Sequence, residues 1–341
     1  MNRHAMEDRA AALVGRFLGL LGRRACLAAG RSAGRVYSRL DRRHVGIALD
    51  NLRHAFPDWD DAHRMRVARA VYAHLGQVLF DVLRLEGRPR EEILAEVDFE
   101  GLEHLESARS AGRGVLFVAA HIGHWEIHAV AHSIAYGRVS VVARPLDNPL
   151  LDARLTRFRT LGGNAVIAKR KALGIVLKAL RGGEGVAILI DQNVQEQDGI
   201  FVDFFGRKAA TTTVAAALAL KTGCALVPTR TVLRPDGRCR VIYERPVGRP
   251  ASSDRTGAIA ELTQLLTGVI EGWVRDTPEQ WLWIHRRWKT RPVSGAGSPV
   301  AGGPAEILPG SPPRSASGMP GRGAGPAAEA RPDAGAGTLR S

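Results

Sequence analysis

From about residue 96 onward, short apolar runs alternate with stretches in which apolar residues recur every three or four positions. The runs VLFVAA (115–120), VSVVAR (139–144), NAVIA (164–168), VAILID (186–191) and ALVPTRTVL (225–233) predict strands. The segments 124–135, 149–161, 170–181 and 211–222 predict the helices between them, with the Thr211 run starting the last and Gly223 ending it. Alternation of this kind gives an α/β fold with a largely parallel, mixed sheet and crossover helices. RPDGR (234–238) places an Asp-Gly turn before CRVIYERPV, so the last two strands form a hairpin. A long helix is expected from Asp254 to about Arg275, followed by the aromatic and basic run WLWIHRRWK (281–289).

Residues 1–90 lack the strand pattern and predict a helical layer ahead of the sheet. DRRHVGIALDNLRHAFP (41–57) stops at Pro57, and Asp60 is placed to cap the next helix, where Val67, Val71, Leu75, Val78, Leu79 and Val82 recur at helical spacing. AAALVGRFLGLLGRRACLAAG (10–30) reads as one apolar helix, but Arg16, Arg23 and Arg24 interrupt it, and it falls short of an unbroken spanning segment. Two readings stay open for it: a helix lying in a membrane interface, or a core helix. No signal-peptide pattern is evident. Beyond Arg291 the chain is rich in Gly, Ala, Pro and Ser without aromatic residues, a composition that supports no packed core. The expected organisation is therefore a helical segment at 1–90, an α/β domain at 91–291 and a disordered tail at 292–341.

Charge narrows the partners. The 341 residues carry 48 Lys+Arg against 34 Asp+Glu, a formal net charge of +14. Most of these cations are arginines, which suit phosphate and carboxylate groups, so nucleic acid, an anionic membrane surface and an acidic protein are the classes favoured. Cys26, Cys224 and Cys239 form no C-x-x-C pair and no disulfide framework, which fits a reducing compartment.

The candidate chemistry lies in VLFVAAHIGHWEIHAVAHSIAYG (115–137). His121 follows a strand at the carboxyl end, where open α/β sheets bind ligands. Gly123 permits a tight turn, and Glu126 falls in the first turn of the next helix, within reach of the His121 ring. A carboxylate accepting an imidazole N–H makes the histidine a competent general base. No serine or cysteine nucleophile is near, so direct attack by a substrate hydroxyl is the simplest reaction. The plain alternative is a capping histidine with a helix-start glutamate. A second alternative is a zinc-dependent hydrolase, because His124, His128 and His132 share one helical face; however, HWEIH does not match the metalloprotease spacing. A nucleic-acid-binding protein would explain the charge but not a histidine–glutamate pair at a strand end.

His121 and Glu126 form an H-x4-E motif that resembles the H(x4)D/E acyltransferases. LDNLRHAFPD, ARPLDNPLLDARLTRFRTLGGNAVI, AILIDQNVQEQDGIFVDFFGRKAATTTVAAALALKTGCALVP and PEQWLWIHRRWK are similar, in order, to the lipid A biosynthesis lauroyl/myristoyl acyltransferases. The phosphatidylinositol mannoside acyltransferases share most of this resemblance. It implies a glycerolipid acyltransferase-like fold and transfer of a fatty acyl chain from acyl carrier protein or acyl-CoA to a hydroxyl of a membrane glycolipid, foremost a lipid A precursor. It further implies His121 and Glu126 as catalytic residues and Arg144 for acceptor phosphate or transition-state charge. Asp191, Phe204, Phe205, Gly206 and Thr211 would close the acceptor side. No metal or other cofactor is implied, and the expected location is the cytoplasmic face of the inner membrane, on its anionic surface.

Overall fold

The computed structural model describes residues 2–169 and 172–292. The composition-based reading of a disordered tail falls on residues outside this range, apart from its first position. Four helices come first: α1 (Arg3–Gly19), α2 (Arg23–Leu40), α3 (Arg42–Ala55) and α4 (Asp61–Leu85), with the short α5 (Arg90–Leu94) after them. The stretch 10–30 is not one helix. It divides at Leu20–Gly22, where Gly22 takes an extended conformation ahead of α2 and two poor helix formers, Gly19 and Gly22, bracket the break. Asp60 caps α4 as expected, its carboxylate accepting the His63 N–H. α2 and α4 pack backbone to backbone: a Cβ on Gly30 would stand 2.5 Å from the Gly76 carbonyl oxygen, an approach that only glycine permits.

The α/β part contains strands β1 (Val97–Glu100), β2 (Val115–Ala119), β3 (Val139–Ala143), β4 (Ala165–Ala168), β5 (Gly185–Leu189), β6 (Ile200–Phe204), β7 (Arg207–Thr211), β8 (Ala225–Leu233) and β9 (Cys239–Tyr243). The helices among them are α6 (Leu102–Ser110), α7 (Trp125–Tyr136), α8 (Pro149–Arg159), α9 (Ala172–Arg181), α10 (Val214–Thr222) and α11 (Arg255–Asp276). One seven-stranded sheet runs in the order β1-β9-β8-β2-β5-β3-β4. Its neighbours are parallel except for the β8–β9 hairpin, which turns at the Asp-Gly site. This is the mixed, largely parallel α/β class that the hydrophobic pattern predicted.

Two features depart from that pattern. β1 was not anticipated, and neither was the separate β6–β7 hairpin, whose strand continues through Thr211, so that α10 starts at Val214. Gly223 ends α10 in a left-handed conformation (φ 72°).

Strand alternation divides the interior. Leu116, Val118 and Ala120 point into one core with Ala48, Leu52, Val67 and Val71 of the N-terminal helices, Leu262 and Leu266 of α11, and Trp281, Trp283 and Trp288. Val115 and Phe117 point into the other, against Ile127, Val130 and Ala131 of α7. Trp281, Trp283 and Trp288 of the aromatic and basic run are core residues, at 1%, 0% and 6% exposure.

Candidate active site

The register of two adjacent strands builds the site. β2 and β5 are parallel, pairing Val115 with Gly185 through to Ala119 with Leu189. Continued two residues past the strand ends, the same offset sets His121 opposite Asp191. Asp191 Oδ2 accepts the backbone N–H of His121 at 2.9 Å, and Oδ1 lies 2.8 Å from the ring Nδ1. An ionised carboxylate is an acceptor only, so Nδ1 carries the proton and Nε2 presents a lone pair. Nε2 has no protein partner among the described residues, and the ring, 19% exposed, reaches solvent. Burial opposes the charged form of His121, but the charge and hydrogen bond of Asp191, helped by the charge of Glu126, outweigh it and raise its pKa above the ordinary imidazole value. Burial likewise opposes ionisation of Asp191, and its bonds to His121 and Trp281 overcome that, holding the carboxyl at about 2.

The ring's partner is thus Asp191, and this corrects the expectation that Glu126 orients His121. Glu126 is bound elsewhere: Arg159, at the end of α8, grips it with two hydrogen bonds of 2.8 and 2.6 Å, and the Trp125 indole donates to it at 3.1 Å. Glu126 acts on His121 through charge rather than through a hydrogen bond.

Trp281 completes the setting. The chain 280–282 runs antiparallel against 121–123, with Ile122 bridging Trp281, the Leu282 N–H donating to the His121 carbonyl and the Gly123 N–H to that of Gln280. This brings the Trp281 indole N–H 2.9 Å from Asp191 Oδ2. The turn demands glycine at 123, where φ is +58° and a Cβ would fall 1.5 Å from the Thr231 carbonyl oxygen.

The other expected site residues are placed as follows. Arg144 falls one residue past the end of β3 rather than within it, and its side chain is 80% exposed and ion-paired with the exposed Asp147 at 3.1 Å. Phe204 and Phe205 are buried rather than lining an open surface. Phe204 packs edge-on against Trp281, which in turn holds Asp191. Phe205 and Gly206 form the β6–β7 turn, both at positive φ (54° and 68°). Thr211 is buried, donating to the Ala209 carbonyl and accepting from the buried Arg287 guanidinium. Of these four, Phe204 backs the Trp281 indole that holds Asp191, while Phe205 and Gly206 make the hairpin turn and Thr211 holds Arg287.

The histidine stack on α7 separates into three environments. His124 caps α7 by accepting the Ile127 N–H and lies 3.3 Å from Asp81. His128 bonds Thr229 at 3.0 Å and His132 bonds the Tyr243 hydroxyl at 2.6 Å. Burial lowers the pKa of His128 to about 4 and of His132 to about 3, so both are neutral. Among the described residues no three metal-ligating side chains converge.

Asp81 is fully buried and ties the N-terminal layer to the site. It pairs with Arg23 at 3.0 Å and Arg84 at 2.9 Å, and both arginines also reach Glu96. Asp81→Asn would leave two buried guanidiniums sharing Glu96 and loosen the His124 cap. The expected result is a loss of about 3–5 kcal/mol in unfolding free energy by denaturant titration. A loss below about 1 kcal/mol would show that the network contributes little.

A narrow cavity of about 60 Å³ lies between α7 and the sheet, with Ala120 and Ile122, the two neighbours of His121, in its lining. Trp125, Ala129 and His132 line it from the helix, and Phe117, Val141 and Leu189 from the strands. Its walls are mainly apolar, and the ring of Trp125, one of its lining residues, stands 5.6 Å from that of His121.

A polarised histidine with a free Nε2 near an apolar slot is an arrangement that can accept a proton beside an aliphatic group. Residues 5–290 match the bacterial lipid A biosynthesis acyltransferase family, and the chain belongs to it. It is 31% identical to the lipid A biosynthesis lauroyltransferase of Escherichia coli K12 over 265 residues, covering 77% of this chain and 85% of that protein. The lipid A biosynthesis palmitoleoyltransferase of the same organism is 29% identical over 253 residues, 74% of this chain and 81% of that one. A phosphatidylinositol mannoside acyltransferase of Mycolicibacterium smegmatis is 25% identical over 228 residues, 66% and 72% of the two chains. The protein is accordingly an O-acyltransferase of glycolipid synthesis.

The sequence alone did not reveal Asp191 as the histidine's partner, Arg159 as the partner of Glu126, or Trp281 as a donor to Asp191. A strand-end position marked Asp191. Nothing marked the other two.

Proposed function

We propose that the protein transfers a fatty acyl chain from acyl carrier protein or acyl-CoA to a hydroxyl of a lipid A precursor. The observation that carries this reading is the free Nε2 of His121, polarised by Asp191, on a ring that neighbours the Trp125 wall of an apolar slot. In the reaction, Nε2 takes the acceptor hydroxyl proton as the oxygen attacks the thioester carbonyl, and Asp191 stabilises the imidazolium. Collapse of the tetrahedral intermediate breaks the C–S bond, and the thiolate leaves with the proton from His121. Arg159, held by Glu126 and close enough for its charge to act on His121, supplies positive charge for the developing oxyanion. A phosphatidylinositol mannoside as acceptor is the second reading, supported by the mycobacterial similarity.

A location on the cytoplasmic face of the inner membrane fits the surface of α1. Leu13 and Phe17 on α1 and Leu20 just past its end are 71%, 61% and 84% exposed, and α1 is joined to α8 through Asn148–Glu7 and Arg154–Asp8 contacts. Among the described residues no helix is long and apolar enough to cross a membrane. An apolar helix face flanked by arginines suits the interface of an anionic leaflet.

The slot is testable through chain length. Ala129→Phe fills it midway along α7, and is expected to lower transfer of long acyl chains at least tenfold while sparing short ones. Each methylene excluded from an apolar site costs about 0.8 kcal/mol, roughly fourfold in kcat/KM. The check is a donor series of increasing length with wild type and variant; the same length preference in both would remove the acyl chain from this slot.

A further inference from the structure

A second cavity, of about 430 Å³, lies apart from the slot and is polar and cationic. Arg43 of α3, Arg207 at the start of β7, and Arg286, Lys289 and Arg291 of the C-terminal segment line it. Among the described residues none of these five forms an ion pair. Other cations of the surface do: Lys208 pairs with Asp203, Arg275 with Glu271 and Arg53 with Asp61. One carboxylate, Asp50, lines the cavity, and it is 71% exposed. Burial together with the Arg291 charge lowers the pKa of Arg207, against the pull of Asp50.

The cavity is held in shape. Asn51 donates from Nδ2 to the carbonyls of Trp283 and His285, both at 2.7 Å, fastening α3 to the C-terminal segment. The buried Trp288 stacks on His54 at 6.1 Å. The same segment reaches the catalytic pair: His285 Nε2 accepts the Asn193 N–H at 2.9 Å, two residues beyond Asp191, and the charges of Asp191 and His121 act on it. Arg207 is half-buried and the other four cations are exposed around it, so water softens their mutual repulsion, and an anion held among them would relieve what remains. Arginine forks match the oxygens of a phosphate.

We propose that this cavity binds a phosphate group, as a phosphomonoester or diphosphate, carried by one of the two substrates of acyl transfer. The phosphate can belong to the soluble head of the donor, as in coenzyme A, or to a phosphorylated glycolipid acceptor. This assignment of source rests on the acyl-transfer reading; phosphate binding itself does not.

The test uses the full chain, wild type and Arg207→Gln/Arg291→Gln. Pyrophosphate binding is measured by calorimetry at low salt, and KM is measured separately for an acyl-CoA and for a phosphorylated glycolipid in micelles. Charge-assisted hydrogen bonds are worth about 1.5–3 kcal/mol each, so at least a tenfold loss of pyrophosphate affinity is expected. One of the two KM values should rise at least tenfold, with the effect on KM rather than kcat. A rise confined to acyl-CoA assigns the phosphate to the donor, and one confined to the glycolipid assigns it to the acceptor. Thermal unfolding should be unchanged or raised in the variant, because it relieves repulsion. Unchanged pyrophosphate affinity in the folded variant, or unchanged KM for both substrates, overturns the proposal. Absence of transfer by the wild type would instead count against the acyl-transfer reading, leaving the pyrophosphate result to stand by itself.

Discussion

His121→Ala is expected to fold normally and lose about 10²–10⁴ in kcat, the usual contribution of a positioned general base. The fold should survive because the ring is partly exposed and makes one side-chain hydrogen bond, to Asp191. KM should change little, since the substituted group meets the hydroxyl proton rather than the acyl chain. Turnover by a folded variant within tenfold of wild type would remove His121 from the reaction.

Asp191→Asn is expected to be nearly as damaging, with a distinct signature. The amide still bonds the ring, but it no longer stabilises the imidazolium, and it can donate to Nδ1 and so favour the wrong tautomer. Turnover should fall by about 10² or more. The pH profile adds a sign. His121 works as the neutral base, so wild-type activity falls along an acid limb as pH drops through its pKa, which Asp191 raises above the ordinary imidazole value. Without the Asp191 charge, burial dominates and the limb moves to lower pH. Glu126→Gln should impair turnover by releasing Arg159, yet shift the limb less, because Glu126 makes no hydrogen bond to the ring. A larger downward shift in Glu126→Gln than in Asp191→Asn would reverse the roles of the two carboxylates.

The reasons for that reversal of expectation are physical. Strand-forming runs and helix periodicity are local signals, so β2, β3, β4, β5, β8 and β9 were legible, as was the strand-end position of His121. Which strands lie side by side is not local. His121 and Asp191 each follow a recognisable strand by two residues, but only the adjacency and register of β2 and β5 bring them together across 70 positions. Glu126 illustrates the converse. Five residues of separation suggested contact with His121, and an arginine 33 residues downstream took the carboxylate instead.

The FFG segment hid a hairpin because its turn places Phe205, a bulky residue, at φ 54°, against the usual Asn, Asp or Gly. The tryptophans alternate at 281 and 283 with the period of a strand, which signals burial. The indole's hydrogen bond to Asp191 depends on a single bridge between Ile122 and Trp281 that no periodicity foretells.

The central claim is acyl transfer to a glycolipid hydroxyl with His121 as base. Its most direct test combines purified protein, an acyl thioester and a lipid A precursor, with the glycolipid product weighed by mass spectrometry. The account predicts that wild type adds one acyl group through an ester bond, with one thiol released per ester formed, and that His121→Ala yields almost none. Thioester cleavage to free fatty acid with no acylated glycolipid, or equal product from His121→Ala, would contradict it.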